Sequence, residues 1–388
     1  MAGKQKPFVV RVIMFLEKLY DFRLNVVTGY IEFKPKGSTE YSILNDYELN
    51  SMQNLLDEND LNITSGRLFK LLKSTYIPVF NPFESYFNNL EVWNGTTDVI
   101  GQLASTVRTT NEELWKKYFP KWLVSMVASM LDDKTINHEM LVFSGKQGIG
   151  KTTWILKLVP PALDEYKYSG IINLNNKDTL AYLSDRMLIN LDELEAFSGK
   201  QIDYLKQLVT KDSIKYRPPY ARLSESFPRR ASFAASVNSN EFLHDLSGSR
   251  RFLSFETIEI DYKHNIAMDD VYAQVLHLWK SGFKHWFDDK EIDEINSNNE
   301  NYRIKPLEEI LLFEKFEFCS ENEATDILTA KELLIELHEA NANNITNSSL
   351  QQLGRVLKYH KLSPASRKKG KVYFVKRKNI THGGYQPE

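Results

Sequence analysis

The chain has 388 residues, of which 42% are hydrophobic, 12% aromatic and 26% charged. These values are typical of folded globular proteins, so they exclude intrinsic disorder, collagen and coiled-coil arrays, and the length predicts about two to four domains. Lys and Arg total 49 and Asp and Glu total 51, a net charge of −2. Binding to nucleic acid or to an anionic membrane would therefore have to be local.

Cysteine usage and hydropathy predict a cytoplasmic protein with no membrane partner. Cys319 is the only cysteine, which excludes an internal disulfide and a cysteine-based zinc finger and is typical of a reducing compartment. The apolar stretch near the N-terminus is interrupted by Arg11 and followed by Glu17, so we expect neither a signal peptide nor a membrane-spanning helix there. The scattered histidines predict no metal site.

The region before residue 138 mixes β-rich and helical patterns. We predict an α+β domain of unknown role over residues 1–80, and a helical collar or linker over residues 81–137. In the second part, apolar pairs recur every four positions from Leu114/Trp115 to Met130/Leu131. This spacing predicts a helix over 112–131, in which Pro120 makes a kink or starts a second half.

Short apolar runs alternate with helical segments from residue 138 to 260, which is the pattern of an α/β sheet domain. The predicted buried strands are residues 140–143, 187–191, 231–237 and 252–255. After residue 260 we predict a helical extension to residue 319, with a helix over 271–287 and a loop over the asparagine-rich residues 296–301.

The strongest motif is Gly-x-x-x-x-Gly-Lys-Thr, which lies between the first predicted strand and a helix-like segment. In this setting backbone amides and a helix N-terminus face bound phosphates. We expect Lys151 to neutralise the β and γ oxygens and the Thr152 hydroxyl to bind Mg²⁺. The predicted ATP-binding residues are Gly145, Lys146, Gln147, Gly148, Ile149, Gly150, Lys151, Thr152 and Thr153. A glycine-rich turn that binds nothing is the alternative.

A second apolar strand ends in two carboxylates, Asp192 and Glu193, at a distance from the motif that leaves room for a helix and a strand. We predict that Asp192 holds Mg²⁺ through water and that Glu193 orients and deprotonates the attacking water. Paired acids after a strand also occur as solvated helix starts. The glycine-rich motif favours the functional interpretation.

Two further features flank the same predicted sheet. Asn238 follows the strand at 231–237, so its amide is expected beside the phosphates, where it would position the water or the terminal phosphate. A turn-forming asparagine is the alternative. Arg250 and Arg251 stand directly before the next strand and are candidates for an arginine finger, with a structural salt bridge as the other interpretation.

Two basic segments are candidates for nucleic-acid binding. Alternating side chains around Pro218-Pro219 predict a hairpin. Its candidate contacts with a sugar-phosphate strand are Lys211, Lys215, Arg217, Tyr220 and Arg222. The other segment, residues 355–378, is rich in Lys and Arg and has no acid; its candidate contacts are Lys368, Lys369 and Lys371. For both segments, a basic face that is only solvated is the alternative.

The last segment, residues 320–388, is predicted to be a winged helix-turn-helix. Thr329 with Glu332, and Ser348 with Gln351, have the spacing of capping boxes and therefore predict two helix starts. A basic turn and a strand over 372–375 follow these helices. Helices followed by such a hairpin are typical of winged helices.

These motifs follow one another in an order and at spacings that resemble the virulence-associated protein E family across residues 139–256. Members are P-loop ATPases of phages and mobile genetic elements, similar to superfamily 3 helicases within the AAA+ group. The resemblance implies an AAA+-type P-loop NTPase domain over residues 138–260. It also implies a homo-oligomeric ring, with a hexamer expected, in which ATP is bound between subunits.

The resemblance further implies a role for each candidate residue in such a ring. Asp192 and Glu193 would act within their own subunit and Asn238 would be the sensor. Arg250 or Arg251 would come from the neighbouring subunit as the finger. The predicted hairpin would line the pore and move DNA.

The leading hypothesis from the sequence is an ATP-dependent DNA helicase or translocase that acts in replication of a phage or mobile element. Its cofactors would be ATP and Mg²⁺, with single-stranded DNA in the pore and duplex or origin DNA at the winged helix. No primase activity is predicted, because residues 1–137 show neither paired metal-binding acids in a strand nor a zinc site. Three alternatives stay open: a DNA-bound AAA+ switch or loader without unwinding, a winged-helix initiator or repressor, and a small-molecule kinase. The paired acids Asp192 and Glu193, Asn238 and the arginines after it favour hydrolysis with water over the kinase.

Overall fold

The chain divides into two compact units, Met1–Arg303 and Ile304–Glu388. The computed structural model describes residues 6–172, 177–217, 223–243, 248–340 and 350–378. Both units combine helices with sheets, so the predicted α/β class is confirmed. The finer domain boundaries expected from the sequence stay predictions. Within these described ranges, no helix has the length and the apolar run that crossing a bilayer requires.

The N-terminal part of the first unit is a four-stranded sheet packed with three helices. Its elements are α1 (Phe8–Leu16), β1 (Tyr20–Asn25), β2 (Ile31–Pro35), β3 (Ser42–Ile43), α2 (Asp46–Asp57), α3 (Ser65–Leu72) and β4 (Val79–Phe80). The strand order is β3-β2-β1-β4, with β1 antiparallel to β2 and parallel to β4. Leu16, Leu56 and Leu72 bury their side chains with Phe22 and Phe33, so this part has an interior of its own.

Three helices and a short strand lead to the central sheet. They are α4 (Pro82–Asn88), α5 (Val99–Ala104), β5 (Val107–Thr109) and α6 (Glu112–Leu131). The helix predicted over 112–131 is confirmed, and it continues through Pro120 without ending there. Trp115 and Trp122 on α6 are fully buried, because this helix lies in the largest hydrophobic core of the unit.

The central sheet has six strands in the order β5-β12-β6-β11-β8-β7. Its elements after α6 are β6 (Met140–Ser144), α7 (Lys151–Lys157), β7 (Lys167–Ser169), α8 (Lys177–Asp185), β8 (Leu188–Asp192), α9 (Gly199–Val209), β9 (Ser213–Tyr216), β10 (Glu225–Pro228), β11 (Ser232–Ser236) and β12 (Phe252–Ile260). The strands β12, β6, β11, β8 and β7 are parallel, whereas β5 is antiparallel to β12. The strands β9 and β10 form a separate hairpin.

The predicted buried strands all lie in this central sheet, which is covered on both faces. On β6, Leu141 and Phe143 belong to one hydrophobic core, whereas Met140 and Val142 belong to the core on the other face. Parallel strands buried on both faces are continuously apolar. This explains why the sequence pattern identified them.

Two helices complete the first unit, α10 (Met268–Lys280) and α11 (Asp289–Asn299), and both correct the sequence prediction. The helix predicted over 271–287 ends at Lys280, and Gly282 beyond it has a left-handed φ of 81°. The loop predicted over 296–301 is wrong, because these residues form the end of α11 and the start of a 3₁₀ turn. Asn298 and Asn299 donate side-chain hydrogen bonds to carbonyls of β12, which offset their low helix propensity.

In the described part of the second unit, three helices pack with a small antiparallel sheet. Its elements are α12 (Leu307–Lys315), β13 (Phe316–Phe318), β14 (Asp326–Thr329), α13 (Ala330–Ala340), α14 (Leu350–Tyr359), β15 (Ala365–Arg367) and β16 (Gly370–Arg377). The sheet order is β13-β16-β14, and β15 also pairs with β16. Reciprocal hydrogen bonds of 2.6 and 3.2 Å between Thr329 and Glu332 confirm the first capping box. Ser348, at the second predicted box, lies outside the described residues.

Candidate functional site

The loop between β6 and α7 requires glycine at two positions. Gly145 has φ 134° and Gly150 has φ 95°, a backbone region that other residues rarely adopt. A Cβ atom on Gly145 would lie 2.5 Å from the carbonyl oxygen of Thr257, and one on Gly150 would lie 2.2 Å from the Tyr262 ring. The loop therefore packs its backbone directly against the segment around the end of β12.

Lys151, the first residue of α7, points its ammonium group back into this loop. The Nζ atom donates hydrogen bonds to the carbonyl oxygens of Gly145 (2.7 Å) and Lys146 (2.8 Å) and to Oδ1 of Asn238 (3.2 Å). The residue is only 5% exposed, and burial lowers the pKa of its ammonium group while the charge of Glu195 raises it. Lys151 is thus a buried cation whose hydrogen bonds go to neutral oxygens.

Asp192, at the end of β8, is the centre of a cluster of polar side chains. Its Oδ1 atom accepts hydrogen bonds from Thr152 (3.0 Å), Ser236 (3.0 Å) and Asn190 (2.9 Å), and its Oδ2 atom accepts one from Ser169 (2.9 Å). These residues come from β7, β8, β11 and α7, whose carboxyl or amino ends meet at one edge of the sheet. The predicted pair Thr152 and Asp192 is therefore in direct contact.

The two acids that follow Asp192 have different surroundings. Glu193 is exposed and has the left-handed φ of 58°, a conformation that costs free energy for a non-glycine residue and is often found at functional sites. Glu195 is partly buried; its Oε1 atom accepts a hydrogen bond from the backbone N–H of Asn238 at 2.9 Å. Its Oε2 atom is buried without a hydrogen-bond partner among the described residues.

Sequence reasoning missed Glu195 and the three polar neighbours of Asp192. The signal available for Glu195 was only a second acid two residues after Glu193. The neighbours Ser169, Asn190 and Ser236 are ordinary polar residues at strand ends. Their contact with Asp192 depends on strand order, because β7, β8 and β11 are adjacent in the sheet.

Arg250 and Arg251 lie at the amino-terminal end of the parallel strands, whereas Lys151 lies at their carboxyl-terminal end. In the parallel pair β12 and β6, Phe252 is opposite Met140 and Glu256 is opposite Ser144. The arginines precede the start of this register, whereas the glycine-rich loop follows its end. At roughly 3.3 Å per residue the intervening strand spans about 16 Å. The structure therefore separates the two arginines from the cluster formed by Lys151, Asp192 and Asn238 in the same chain.

The two arginines themselves differ. Arg250 is exposed and makes no hydrogen bond or ion pair with the residues that the structure describes. Arg251 is partly buried; its Nη1 atom donates to the carbonyl oxygen of Gly248 at 3.4 Å, and burial, followed by the charge of Arg250, lowers its pKa. Arg250 is thus the better placed of the two to contact another molecule.

The predicted basic hairpin consists of β9 and β10, with Ser213 paired with Pro228 and Tyr216 with Glu225. Lys211, Lys215 and Arg217 are exposed, whereas Tyr220 and Arg222 lie outside the described residues. The hairpin lies at the same, amino-terminal end of the parallel strands as Arg250, because β10 leads directly into the start of β11. The fully buried Arg229 fastens its base by donating to the carbonyl oxygens of Lys211 (2.9 Å) and Asn137 (2.6 Å).

The basic C-terminal segment is partly neutralised by acids of its own unit. Lys369 donates to the carbonyl oxygen of Ile327 at 2.6 Å and pairs with Glu332 at 3.1 Å. The same unit also contains the ion pairs Arg367–Glu321, Lys376–Glu323, Arg377–Asp326 and Arg377–Glu336. Lys368 and Lys371 are exposed and form no ion pair within the described ranges, so they are among the residues that carry uncompensated charge in this segment.

The sequence matches the virulence-associated protein E-like domain family over residues 87–304, more than half of the chain, and the protein belongs to this family. No curated protein matches the chain. The solved structure described as "The apo structure of NrS-1 C terminal region (305-718)" is similar in fold, with a TM-score of 0.52 at 12% identity, and the match covers 96% of this chain and 99% of that chain.

Two further structures of the same NrS-1 region are also similar. The one described as "The A form apo structure of NrS-1 C terminal region-CTR(305-718)" has 13% identity and a TM-score of 0.49, with 95% of this chain and 100% of that chain covered. The other, "The A form apo structure of NrS-1 C terminal region-CTR", has 12% identity and a TM-score of 0.49, with 96% and 100% covered.

Proposed function

We propose that the chain is a P-loop ATPase of the AAA+ type. The observation that carries this proposal is the Lys151 ammonium group, buried inside the glycine-rich loop with hydrogen bonds to neutral oxygens. A buried charge is costly unless it is paired, and a bound polyphosphate would supply the missing counter-charge. The glycine-rich loop leads directly into the N-terminus of α7, a position at which backbone amide groups bind phosphate oxygens in other proteins.

The residues around Asp192 fit Mg²⁺. Thr152 and Asp192 are oxygen donors within 3.0 Å of each other, and Mg²⁺ sites take one or two carboxylates and are completed by phosphate and water. When bound, Mg²⁺ would supply charge neutralisation on the phosphate oxygens. In the proposed reaction Lys151 stabilises the charge on those oxygens, Glu193 accepts the proton of the attacking water, and Asn238 orients that water.

The separation of Arg250 from Lys151 supports a ring. An arginine that stands about 16 Å from its own site has to act in a neighbouring subunit if it is to contact the transferred phosphate. An arginine finger supplied in this way stabilises negative charge in the transition state. We therefore propose a homo-oligomer, with a hexamer expected, in which Arg250 of one subunit completes the site of the next.

We propose DNA as the macromolecular partner. The second unit has the element order of a winged helix, because α12, β14, α13 and α14 are followed by the hairpin of β15 and β16. The β9–β10 hairpin, with Lys215 and Arg217 exposed, supports a second contact in the ring pore. Membership of the virulence-associated protein E-like family supports a role in replication of a phage or mobile element, as an ATP-dependent translocase or helicase.

The ATPase rate with and without single-stranded DNA, measured together with the molecular mass with and without nucleotide, tests the proposed function. We expect DNA-stimulated hydrolysis by an assembled ring. Lys151→Ala should lower the rate at least about a hundredfold, whereas Lys200→Ala, at an exposed lysine on α9, should keep it. Hydrolysis by the Lys151 variant at the normal rate would contradict the site assignment. Stimulation without strand separation would favour a DNA-bound switch, and DNA binding unaffected by ATP would favour a winged-helix initiator or repressor.

A further inference from the structure

The asparagines at the end of α11 bind the turn that carries Arg250 and Arg251. Asn299 is fully buried, and its Nδ2 atom donates to the carbonyl oxygens of Ser249 and Phe252, each at 2.8 Å. These two carbonyls flank the arginine pair in the chain. One side chain therefore fixes both ends of the turn.

A second asparagine on the same helix supports this contact. Asn296, one helical turn before Asn299, accepts a hydrogen bond from the hydroxyl of Ser249 at 2.9 Å. Residues three apart lie on the same helix face, so both asparagines face the turn. The turn itself begins at Gly248, which has a left-handed φ of 72°. Asn296 and Asn299 therefore both bind this turn at Ser249.

The helix that presents these asparagines is anchored to the core. Glu291 of α11 pairs with Lys121 of α6 at 2.6 Å, and both side chains are largely buried. Glu294 of α11 accepts a hydrogen bond from the hydroxyl of Tyr118 at 2.5 Å. The asparagines are thus held on a rigid element, as precise positioning of a functional group requires.

Asn299 is buried at an incomplete hydrogen-bonding site. Its Oδ1 atom has no hydrogen-bond partner among the described residues, and a buried acceptor without a partner is unfavourable. Among the described residues, the two hydrogen bonds donated by Nδ2 are therefore the contacts through which the Asn299 side chain can stabilise its surroundings. Both of them end on the backbone next to the arginines.

We propose that Asn299 is a positioning residue for Arg250: the Asn299 side chain holds the arginine turn in the conformation in which Arg250 reaches a neighbouring subunit. The inference rests on the proposed ATPase and its finger acting between subunits. A positioning residue of this kind affects the chemical step in the neighbouring site, whereas the nucleotide site of its own subunit stays intact. Displacement of a catalytic group by about 1 Å can lower a rate about a hundredfold.

The test uses mixed oligomers of full-length variants. Asn299→Ala alone should lower kcat for ATP hydrolysis about tenfold to a hundredfold, while KM for ATP changes much less. Mixed with Lys151→Ala, it should recover activity, because some interfaces then combine an intact loop with an intact finger. Mixed with Arg250→Ala, it should recover nothing, because both variants lack the same contribution. Asn298→Ala is the matched control, since Asn298 donates to the carbonyl oxygen of Ser254 on β12, beyond the arginine turn.

If Asn299→Ala does not fold, Ser249→Ala replaces it in the test. This milder variant removes only the hydrogen bond to Asn296, and it should show the same mixing pattern. Activity of Asn299→Ala equal to that of Asn298→Ala would overturn the inference, as would a rise in KM at constant kcat or recovery with Arg250→Ala. If Arg250→Ala itself keeps normal hydrolysis, the proposed finger fails first, and that outcome is distinguishable from a failure of the Asn299 role alone.

Discussion

Glu193 and Glu195 are two residues apart, yet they are placed to do different things. The carboxylate of Glu193 is exposed at the end of β8, where an activated water could approach it. The carboxylate of Glu195 instead accepts the N–H of Asn238 at 2.9 Å, and Asn238 in turn accepts a hydrogen bond from Lys151 at 3.2 Å. Glu195, in the segment after β8, is thus linked to the Lys151 ammonium group through Asn238, two residues after the end of β11.

We predict that the two glutamates give different defects. Glu193→Gln should bind ATP normally and hydrolyse it slowly, because only proton acceptance is lost. Glu195→Ala should weaken both binding and hydrolysis, because Asn238 loses the carboxylate that holds its backbone. Equilibrium binding of a fluorescent ATP analogue and steady-state ATPase rates separate these outcomes. Loss of binding in Glu193→Gln would show that Glu193 is structural, and normal kinetics in Glu195→Ala would remove Glu195 from the site.

Glu139, just before β6, makes the stability of the protein depend on pH. Burial raises the pKa of Glu139 from 4.5 to about 7, although the charges of Arg229 and Arg250 oppose this shift. Between pH 4.5 and 7 the folded state therefore keeps a proton on Glu139 that the unfolded state has lost. The free energy of unfolding falls as the pH rises through this range, and above pH 7 Glu139 no longer changes it.

Glu139→Gln should remove this dependence. Near pH 4.5 the variant and the wild type should have the same free energy of unfolding. As the pH rises to 7, the variant should become more stable than the wild type, by on the order of 1–3 kcal/mol, and should melt at a higher temperature. Thermal unfolding followed by circular dichroism across this range measures the difference. An offset between the two proteins that is the same at every pH would show that ionisation of Glu139 is not the cause.

At the scale of elements, two hairpins carry basic residues but differ in how those residues are held. In the hairpin of β9 and β10, Lys215 and Arg217 are exposed, and the buried Arg229 anchors the start of the hairpin by donating a hydrogen bond to the carbonyl oxygen of Lys211. In the hairpin of β15 and β16, Lys369 is bonded to Glu332, while Lys368 and Lys371 stay uncompensated. The ion pairs of the second hairpin reduce the positive charge that the sequence alone indicates.

We predict that the two hairpins fail differently. Lys368→Ala with Lys371→Ala should weaken DNA affinity and reduce its salt dependence by roughly one unit of slope per lost phosphate contact, with the basal ATPase rate unchanged. Lys369→Ala should have a smaller effect, since its ammonium is already paired. Lys215→Ala with Arg217→Ala should retain hydrolysis and lose strand separation. Unwinding at the normal rate in this last variant would remove the hairpin from the mechanism.

At the scale of the whole molecule, the chain consists of two units with separate interiors. The cores of the first unit involve residues up to Tyr302, and the core of the second is built from residues after it, including Leu312 and Leu353. The candidate nucleotide site and Arg250 both lie in the first unit. The exposed Lys368 and Lys371 lie in the second.

A chain that ends at Arg303 should therefore keep the basal ATPase activity and lose most of its affinity for duplex DNA. The physical reason is that no core residue of the first unit is removed, whereas Lys368 and Lys371 are. Fluorescence anisotropy with labelled duplex and steady-state ATPase rates, with the full chain as reference, test this division. Duplex affinity equal to that of the full chain would place the DNA contact in the first unit.

The sequence by itself determined the features that depend on neighbouring residues. The glycine-rich loop, the helix over 112–131, the strands of the central sheet and the capping box at Thr329 each consist of a contiguous pattern with a local physical cause. Glycine allows a positive φ, apolar spacing matches a helix face, and a strand buried on both sides is continuously apolar. Fold class and the main candidate residues follow from such patterns.

Only the tertiary structure decided which distant residues meet. Glu195 bonds to Asn238, 43 residues away, and Asn299 bonds to Ser249, 50 residues away. Strand order and direction place Arg250 and Lys151 at opposite ends of the parallel strands. The asparagine-rich run was predicted to be a loop because its composition is polar, but it is helical because its hydrogen-bond partners lie on β12. Such partners depend on how whole elements pack, and no local pattern encodes that packing.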